Sequence, residues 1–364
     1  MSNTNKVILV TGAAGFIASH LVEKLHAQGH TIIGVDNFND YYDINLKCNN
    51  LASFFPVSAI KKLTTNIISP YRSFANPVEA LYVNGFADDG RGIENFTEKP
   101  NYRLYGMDLC DYMSLRKVFE KHAITHVVHI AAVAGVRPSV ENPIFYQKNN
   151  GESTINLLNL AAEFKIQKFV FASSSSVYGS RSKVPFSEAE DISKPISPYA
   201  ATKVAGEAMV HSFSHLYNMP SVCLRFFTVY GPRQRPDLAI TKFTKLIDSG
   251  KAIQIYGDGT AKRDFTYIED IMDGIVKAID YQCVAEIFNL GESHVTDVNE
   301  LVHLLEERLG KKAIIEYAKP VPGDVPITYA DITKSKTLLG YNPQTQIAEG
   351  LTKYVEWYHN AGSL

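Results

Sequence analysis

The chain has 364 residues, 45% hydrophobic and 20% charged, with a formal net charge of −2. That length supports one large or two ordinary domains with a real core. The near-neutral balance argues against a general polyanion binder, while leaving a local basic patch open.

In chain order, "MSNTNKVILV" enters a short apolar run without the layout of a signal peptide. "KVILVT" (6–11) is rich in β-branched residues and reads as the first strand. "GFIASHLVEKLHAQG" follows with apolar residues at helical spacing and a closing glycine at 29. "TIIGVD" (31–36) is the second strand and "YRLYGMD" (102–108) the third. "HVVHIAA" (126–132), "KFVFASS" (168–174) and "SVCLRFF" (221–227) repeat the strand pattern. Helical stretches at 112–122, 143–165 and 198–217 separate them. Apolar strands alternating with helices predict an α/β fold with a Rossmann-type, doubly wound parallel sheet.

Two regions break the alternation. Residues 48–100 carry Pro56, Pro70, Pro77 and Pro100 and are too long for a simple connection. They read as an insertion with structure of its own, with a lid, a dimer contact and a flap all open. From about residue 232 the chain reads as a smaller mixed α/β region, with "ITKFTKLIDSG" and "DVNELVHLLEERLG" as helices. The expected domains are therefore 1–231 and 232–364, with a segment near 264–290 returning to the first. Four scattered cysteines (Cys48, Cys110, Cys223, Cys283) form no Cys-x-x-Cys pair. They suit a reducing cytoplasm and offer neither a disulfide framework nor a metal site. No apolar run approaches the ~18 residues needed to span a bilayer. A soluble, cytoplasmic protein with no membrane or nucleic-acid partner is expected.

"VTGAAGFIASH" puts Gly12, Gly15 and Ala18 between the first strand and the first helix. Glycines allow a tight turn and a close approach to a pyrophosphate, and the N–H groups of the first helical turn, at Phe16 and Ile17, face the phosphates. Asp36 ends the second strand, where a carboxylate holds ribose hydroxyls and repels a 2′-phosphate; Asn37, not arginine, follows. That pattern favours NAD over NADP. A glycine turn used only for packing is the alternative.

"YAATK" places Tyr199 and Lys203 one turn apart on one helix face. Alone, this spacing also fits an ordinary surface helix. Together, Gly-x-x-Gly-x-x-Ala, Asp36, "SSSSVYG" and Tyr-x-x-x-Lys resemble the extended short-chain dehydrogenase/reductase family. Within it the chain most resembles the UDP-glucuronate 4-epimerases, through "DNFNDYYD", "AGVRPSVENP", "ASSSSVYG", "SPYAATK", "LRFFTVYGPRQRPD" and "RDFTYIEDI". The resemblance implies a UDP-sugar substrate, NAD carried through the whole cycle, and a homodimer.

Residue by residue, it implies that Asp108 and Leu109 meet the adenine edge. Ala131, Ala132 and Ala134 line the cofactor, and Asn150 is a structural asparagine, with Ser153 standing where glycine is usual. Tyr199 would be the base. A phenol with pKa near ~10 is a poor base at neutral pH, and the Lys203 ammonium stabilises its phenolate. Lys203 would also hold the nicotinamide ribose, and Ser174 would align the reacting sugar oxygen. Thr228 and Arg235 would hold a substrate carboxylate, the arginine through its planar fork. Arg263 would meet the diphosphate; Lys242, Gln254 and Tyr256 would lie near the nucleotide; Asp324 would contact a ribose; Arg137 is a further candidate for substrate or phosphate contact, with a structural role as the alternative. For Arg235 a surface ion pair is the alternative reading, and for Gln254 and Tyr256 strand positions without a ligand.

Ser175 and Ser176 occupy substrate-facing positions where related dehydratases carry Asp-Glu and related decarboxylases keep Glu. Missing carboxylates argue against dehydration and, less firmly, against decarboxylation. A 4-epimerase of UDP-glucose or a UDP-N-acetylhexosamine is the nearest rival, although Val321 departs from the arginine of that group. A cofactor-sensing binding protein that lost catalysis is the rival from outside the enzymes.

Overall fold

The computed structural model describes residues 5–65, 92–94, 100–181, 183–319 and 325–360. The insertion expected at 48–100 therefore lies partly outside the described residues. Its described part holds helices α2 (Ile44–Asn50) and α3 (Val57–Thr65) and the short strand β3 (Gly92–Glu94).

The chain divides into two compact units. Unit 1 comprises Met1–Ser173, Ser197–Cys223 and Ala278–Glu286. Its strands are β1 (Val7–Thr11), β2 (Thr31–Asp36), β4 (Tyr102–Gly106), β5 (His126–His129), β6 (Lys168–Ser174) and the first residues of β7 (Ser221–Phe226). Strands β5 and β2 flank β1 in parallel, with Thr11 opposite both Val35 and His129. This register sets the turn after β1 beside the ends of β2 and β5. Ile8, Leu9 and Val10 are fully buried, as expected for a strand covered on both faces. The covering helices are α1 (Phe16–Ala27), α4 (Tyr112–Lys121), α5 (Val136–Glu141), α6 (Pro143–Tyr146), α7 (Ser153–Glu163) and α8 (Pro198–Tyr217).

Unit 2 comprises Ser174–Ile196, Leu224–Lys277 and Ile287–Leu364. It carries β8 (Thr228–Tyr230), β9 (Ala252–Tyr256), β10 (Lys262–Arg263), β11 (Phe265–Tyr267), β13 (Thr296–Asp297) and β14 (Ile314–Ala318). Strand β12 (Ala285–Leu290) begins in unit 1 and continues into unit 2. Helices α9 (Ala239–Asp248), α11 (Val298–Leu309) and α12 (Ile347–Asn360) lie here, with most of α10 (Ile268–Asp280). Strand pairs β8–β11 and β9–β14 are parallel, and β10–β13 is antiparallel. The main sheet has the order β12-β7-β6-β5-β1-β2-β4-β3. Seven of its strands form the parallel Rossmann-like sheet, and β3 is antiparallel to β4.

The expected elements shorten or break at three places. Strand β5 stops at His129 because the N–H groups of Ile130 and Ala131 both donate to Thr11 Oγ1, each at 3.1 Å. Strand β4 stops at Gly106, and the Asp108 carboxylate accepts the Cys110 N–H two residues on. The single helix expected over 143–165 is interrupted by a wide π-turn at Gln147–Glu152. Such turns recur at functional sites; here the turn carries Asn150, whose amide bonds other elements instead of facing a helix neighbour.

In unit 2 a buried acidic group constrains pH behaviour. Asp264 accepts hydrogen bonds from the backbone N–H groups of Ala330, Glu292 and Ser293 and from Thr266 Oγ1. Burial still pushes its carboxyl up to about 6. Glu292 Oε2 is buried without a hydrogen-bond partner. Burial, then the charges of Asp270 and Asp264, push the Glu292 carboxyl up to about 8. A carboxyl with a raised folded-state pKa stays protonated in the fold, so stability is lost as pH rises from 4.5 through about 8. The Glu292→Gln variant should therefore melt like the parent at pH 5 and a few degrees (~2–5 °C) higher at pH 9. Thermal melts at both pH values check this; equal melting at pH 9 would discard it.

Candidate active site

The turn after β1 is built for close approach. Gly12 has φ +70°, and a Cβ there would lie 3.0 Å from the Ala131 Cα. Its N–H donates to the Val35 carbonyl at 2.8 Å, which ties the turn to β2. Gly15 caps α1 without a side-chain hydrogen bond, and no acidic residue stands in the first turn. Phe16 and Ile17 open that turn, and Ala18 is fully buried. A helix N-terminus of this kind attracts an anion. Asp36 accepts the Ala14 N–H at 3.0 Å and the Phe38 N–H at 2.7 Å, so its carboxylate is locked beside the turn. Asn37 reaches Asp108 at 3.5 Å, bringing the expected ribose and adenine residues together. Leu109 is buried next to it. Asn50, on α2, donates to the Ala14 carbonyl at 2.9 Å. The cradle that a Cβ at Gly12 would fill, with the locked carboxylate, fits the phosphates and ribose of NAD.

The candidate base and its partner sit on α8. Ser197 caps this helix by accepting the Ala200 N–H at 3.1 Å, and Pro198 takes the first turn, where its missing N–H costs nothing. Gly206 lets α8 lie on β6, since a Cβ there would stand 2.4 Å from the Phe171 ring. Lys203 is 4% exposed; its Nζ donates to the Ala172 carbonyl at 2.7 Å and lies 5.9 Å from the Tyr199 ring centre. Burial lowers the Lys203 ammonium to about 8, against the opposing pull of Glu207 and then Cys223. Tyr199 is half-buried, and its ring meets Tyr146 edge-to-face at 6.2 Å. Ser174 ends β6, one residue beyond unit 1. It accepts hydrogen bonds from Ser176, at 3.2 Å from N and 3.0 Å from Oγ, so Ser174 and Ser176 act as one local turn with Ser175 between them.

A polar relay that sequence reasoning missed fixes the floor of unit 1. Thr11 Oγ1 already accepts two N–H groups, so its own proton goes to His129 Nδ1 at 2.8 Å. The His129 Nε2–H then meets Thr154 Oγ1 at 3.1 Å, and Thr154 donates to the Asn150 carbonyl at 2.6 Å. This set of roles requires a neutral imidazole. Burial, with the nearby Lys203 charge second, holds His129 down at about 3. Asn150 accepts the Val133 N–H at 2.8 Å and donates to the Val133 carbonyl at 3.0 Å and to Thr202 Oγ1 at 3.1 Å. It thereby ties the loop after β5 to the helix of Tyr199. Ala131, Ala132 and Ala134 lie on that loop; the Ala134 carbonyl accepts from both Tyr41 and Tyr146, at 2.7 and 2.9 Å. Tyr41 belongs to "DNFNDYYD", in which only Asp36 and Asn37 had been given roles.

Unit 2 holds the remaining candidates. The backbone N–H of Thr228 donates to the Asp264 carbonyl at 3.0 Å, and Phe265 is its register partner. Arg263 on β10 immediately precedes Asp264; its Nη1 donates to the Lys262 carbonyl at 2.9 Å. Arg235 closes its fork on Asp237, at 3.0 Å from Nε and 2.8 Å from Nη2. The carboxylate in this fork belongs to Asp237, two residues along the same loop, which is the ion pair of the alternative reading. Gln254 and Tyr256 share one face of β9, Gln254 exposed and Tyr256 half-buried. Lys242 on α9 and Arg137 on α5 are exposed. Asp324 lies outside the described residues.

Sequence reasoning also missed a buried cluster in unit 2. Arg225, 2% exposed, donates to the Tyr178 hydroxyl at 2.9 Å, which donates to Asn289 at 2.6 Å. Asn289 bonds the carbonyls of Phe186 and Asp331 at 2.8 and 3.0 Å. A buried arginine needs polar partners of this kind. The phrases "SSSSVYG" and "LRFF" contained two of its members, without signalling that they meet.

Parallel sheet, phosphate cradle, locked Asp36 and the Tyr199–Lys203 turn define a nucleotide-dependent enzyme of the Rossmann class. The model of the NAD dependent epimerase/dehydratase family matches residues 8–291, and the chain belongs to that family. Among its curated relatives, the UDP-glucuronate 4-epimerase of Thermodesulfobacterium geofontis is 38% identical over 353 residues, covering 96% of this chain and 95% of the relative. UDP-glucuronate 4-epimerase 4 of Arabidopsis thaliana is 39% identical over 375 residues, covering 98% of this chain and 76% of that protein. The crystal structure of UDP-glucuronic acid 4-epimerase from Bacillus cereus, in complex with UDP-glucuronic acid and NAD, is 32% identical with a TM-score of 0.80, covering 98% and 99% of the two chains. UDP-glucose 4-epimerase from Thermotoga maritima, with UDP-glucose, is 31% identical with a TM-score of 0.78 over 98% and 99%. Among the described residues, no helix is long and apolar enough to cross a membrane.

Proposed function

We propose that this protein is an NAD-dependent isomerase that inverts C4 of UDP-glucuronate to give UDP-galacturonate. The observation that carries the reaction type is Lys203, buried against β6 one helical turn from the half-buried Tyr199. The substrate reading rests on the relatives that carry this activity in their names. Residues 1–231 then act as the cofactor domain and 232–364 as the sugar-nucleotide region.

Gly12, Gly15, Phe16 and Ile17 would hold the phosphates of NAD, Asp36 and Asn37 its adenosine ribose, and Asp108 and Leu109 its adenine. Ala131, Ala132, Ala134 and Asn150 would shape the floor under it, and Lys203 would hold the second ribose. Held by these residues, NAD would supply the hydride acceptor and donor that exchange at C4 of the sugar requires. Tyr199, as phenolate, takes the proton from the C4 hydroxyl and later gives it back to the same oxygen. The Lys203 ammonium stabilises that phenolate. Ser174 donates to the same oxygen and aligns it, while Ser175 and Ser176 face the sugar without supplying a carboxylate. The 4-keto glucuronate is a β-keto acid, and Thr228 with Arg235 holds its carboxylate against loss of CO2. For this the substrate replaces Asp237 in the Arg235 fork. Arg263, Lys242, Gln254, Tyr256, Arg137 and Asp324 serve the nucleotide side. The enzyme works as a cytoplasmic homodimer, which light scattering on the purified protein would check.

The test is incubation with UDP-glucuronate, without added NAD, followed by proton NMR. UDP-galacturonate without UDP-pentose supports the reading and tightly held NAD. No turnover even with NAD supplied overturns the glucuronate assignment, and UDP-glucose in the same assay then tests the neutral-sugar rival. Arg235→Gln should lower kcat/KM for UDP-glucuronate about 30- to 100-fold, since a charge-assisted bond is worth ~2–3 kcal/mol. An unchanged value would return Arg235 to a surface ion pair.

A further inference from the structure

Glu207 lies on α8 one turn beyond Lys203 and is 5% exposed. Residues four apart on a helix share a face, so this face carries Tyr199, Lys203 and Glu207 in three successive turns. Glu207 Oε1 accepts a hydrogen bond from Ser173 Oγ at 2.5 Å. Ser173 immediately precedes Ser174 on β6, and Lys203 bonds the Ala172 carbonyl on the same strand. An acidic side chain is almost never this buried unless a charge nearby balances it.

We infer that Glu207 is a positioning residue: its anchored carboxylate is the buried counter-charge that keeps Lys203 an ammonium, and so keeps the neighbouring phenol acidic. This rests on the proposed roles of Tyr199 and Lys203 but adds a residue to which no role is assigned. The other groups facing Lys203 do not replace it. His129 on β5 is neutral, Phe171 on β6 offers only its ring at 5.0 Å, and the buried Cys223 on β7 pulls on Lys203 less than Glu207 does. Glu207 stands first among the groups that counter the burial of Lys203. Ser173 donates one hydrogen bond to that carboxylate, and the charge remains without it.

The sign follows. Removing the carboxylate charge lowers the Lys203 pKa further below about 8, so the ammonium is lost nearer neutrality. The test uses the full-length protein with 13C-labelled lysine and an NMR pH titration, the Lys203 signal being assigned with Lys203→Arg. Glu207→Gln, which keeps the shape and the bond from Ser173, should lower the Lys203 midpoint by about one pH unit or more. Glu207→Ala, a second neutral variant, should do the same. Ser173→Ala, which keeps the charge, should leave the midpoint within a few tenths of a unit of the parent. In turnover assays the alkaline limb of kcat/KM should move with the midpoint, and kcat at pH 8 should fall about fivefold or more in Glu207→Gln. A Lys203 midpoint unmoved in both neutral variants overturns the inference, as does a shift in Ser173→Ala equal to theirs, because the charge of Glu207 then does not set the midpoint. The titration needs no substrate. A shifted midpoint in a protein inactive on UDP-glucuronate therefore upholds the counter-charge while rejecting the proposed reaction.

Discussion

Replacing Tyr199 by phenylalanine should lower kcat about a thousandfold while leaving the fold and the retained NAD in place. A positioned general base contributes roughly 10²- to 10⁴-fold, and no carboxylate at Ser175 or Ser176 offers a substitute. The phenyl ring keeps the edge-to-face contact with Tyr146, whose ring centre is 6.2 Å away. Ser197 still caps α8, and Asn150 still bonds Thr202. The loss should therefore fall on kcat rather than on KM or melting temperature. Proton NMR of the product, the NAD content of the denatured protein and a thermal melt check the three parts separately. Activity within tenfold of the parent would remove Tyr199 from the proton transfer. A collapse of the fold would show instead that the hydroxyl is structural.

The second large effect concerns the cofactor cradle. Gly12→Val should give protein that purifies with at least tenfold less NAD and melts about 3–10 °C lower. Two costs act together. The residue has φ +70°, which a β-branched side chain tolerates poorly. Its Cβ would also sit 3.0 Å from the Ala131 Cα, a backbone atom that cannot swing away. Ala131 is pinned by its N–H bond to Thr11 Oγ1 at 3.1 Å, so relief requires moving either the turn or the loop after β5. Strain at such a position is of order 1–3 kcal/mol, and the displaced turn no longer presents the start of α1 to a phosphate. Full NAD retention in this variant would show that the turn only packs.

What could be read along the chain was local in origin. β1, β2 and β6 follow from short apolar, β-branched runs, and α8 starts and ends where Ser197, Pro198 and the left-handed Asn218 place its limits. The glycine turn and the four-residue step from Tyr199 to Lys203 are likewise patterns a few residues long, with fixed geometric meaning. Such features are set by backbone sterics and side-chain periodicity, which act between near neighbours.

The groups that tune the site are joined only by folding. Thr11 and His129 are separated by 118 residues, Asn150 and Thr202 by 52, Ser173 and Glu207 by 34, and Tyr178 and Asn289 by 111. Nothing in "HVVHIAA" distinguishes a strand histidine from one forced neutral between two threonines. The four-residue step puts Glu207 on the face of Lys203, but nothing in that spacing shows that the face is buried or that Ser173 reaches the carboxylate. Protonation states and hydrogen-bond roles depend on which groups share a dry interior, and that is decided when distant strands and helices close over them.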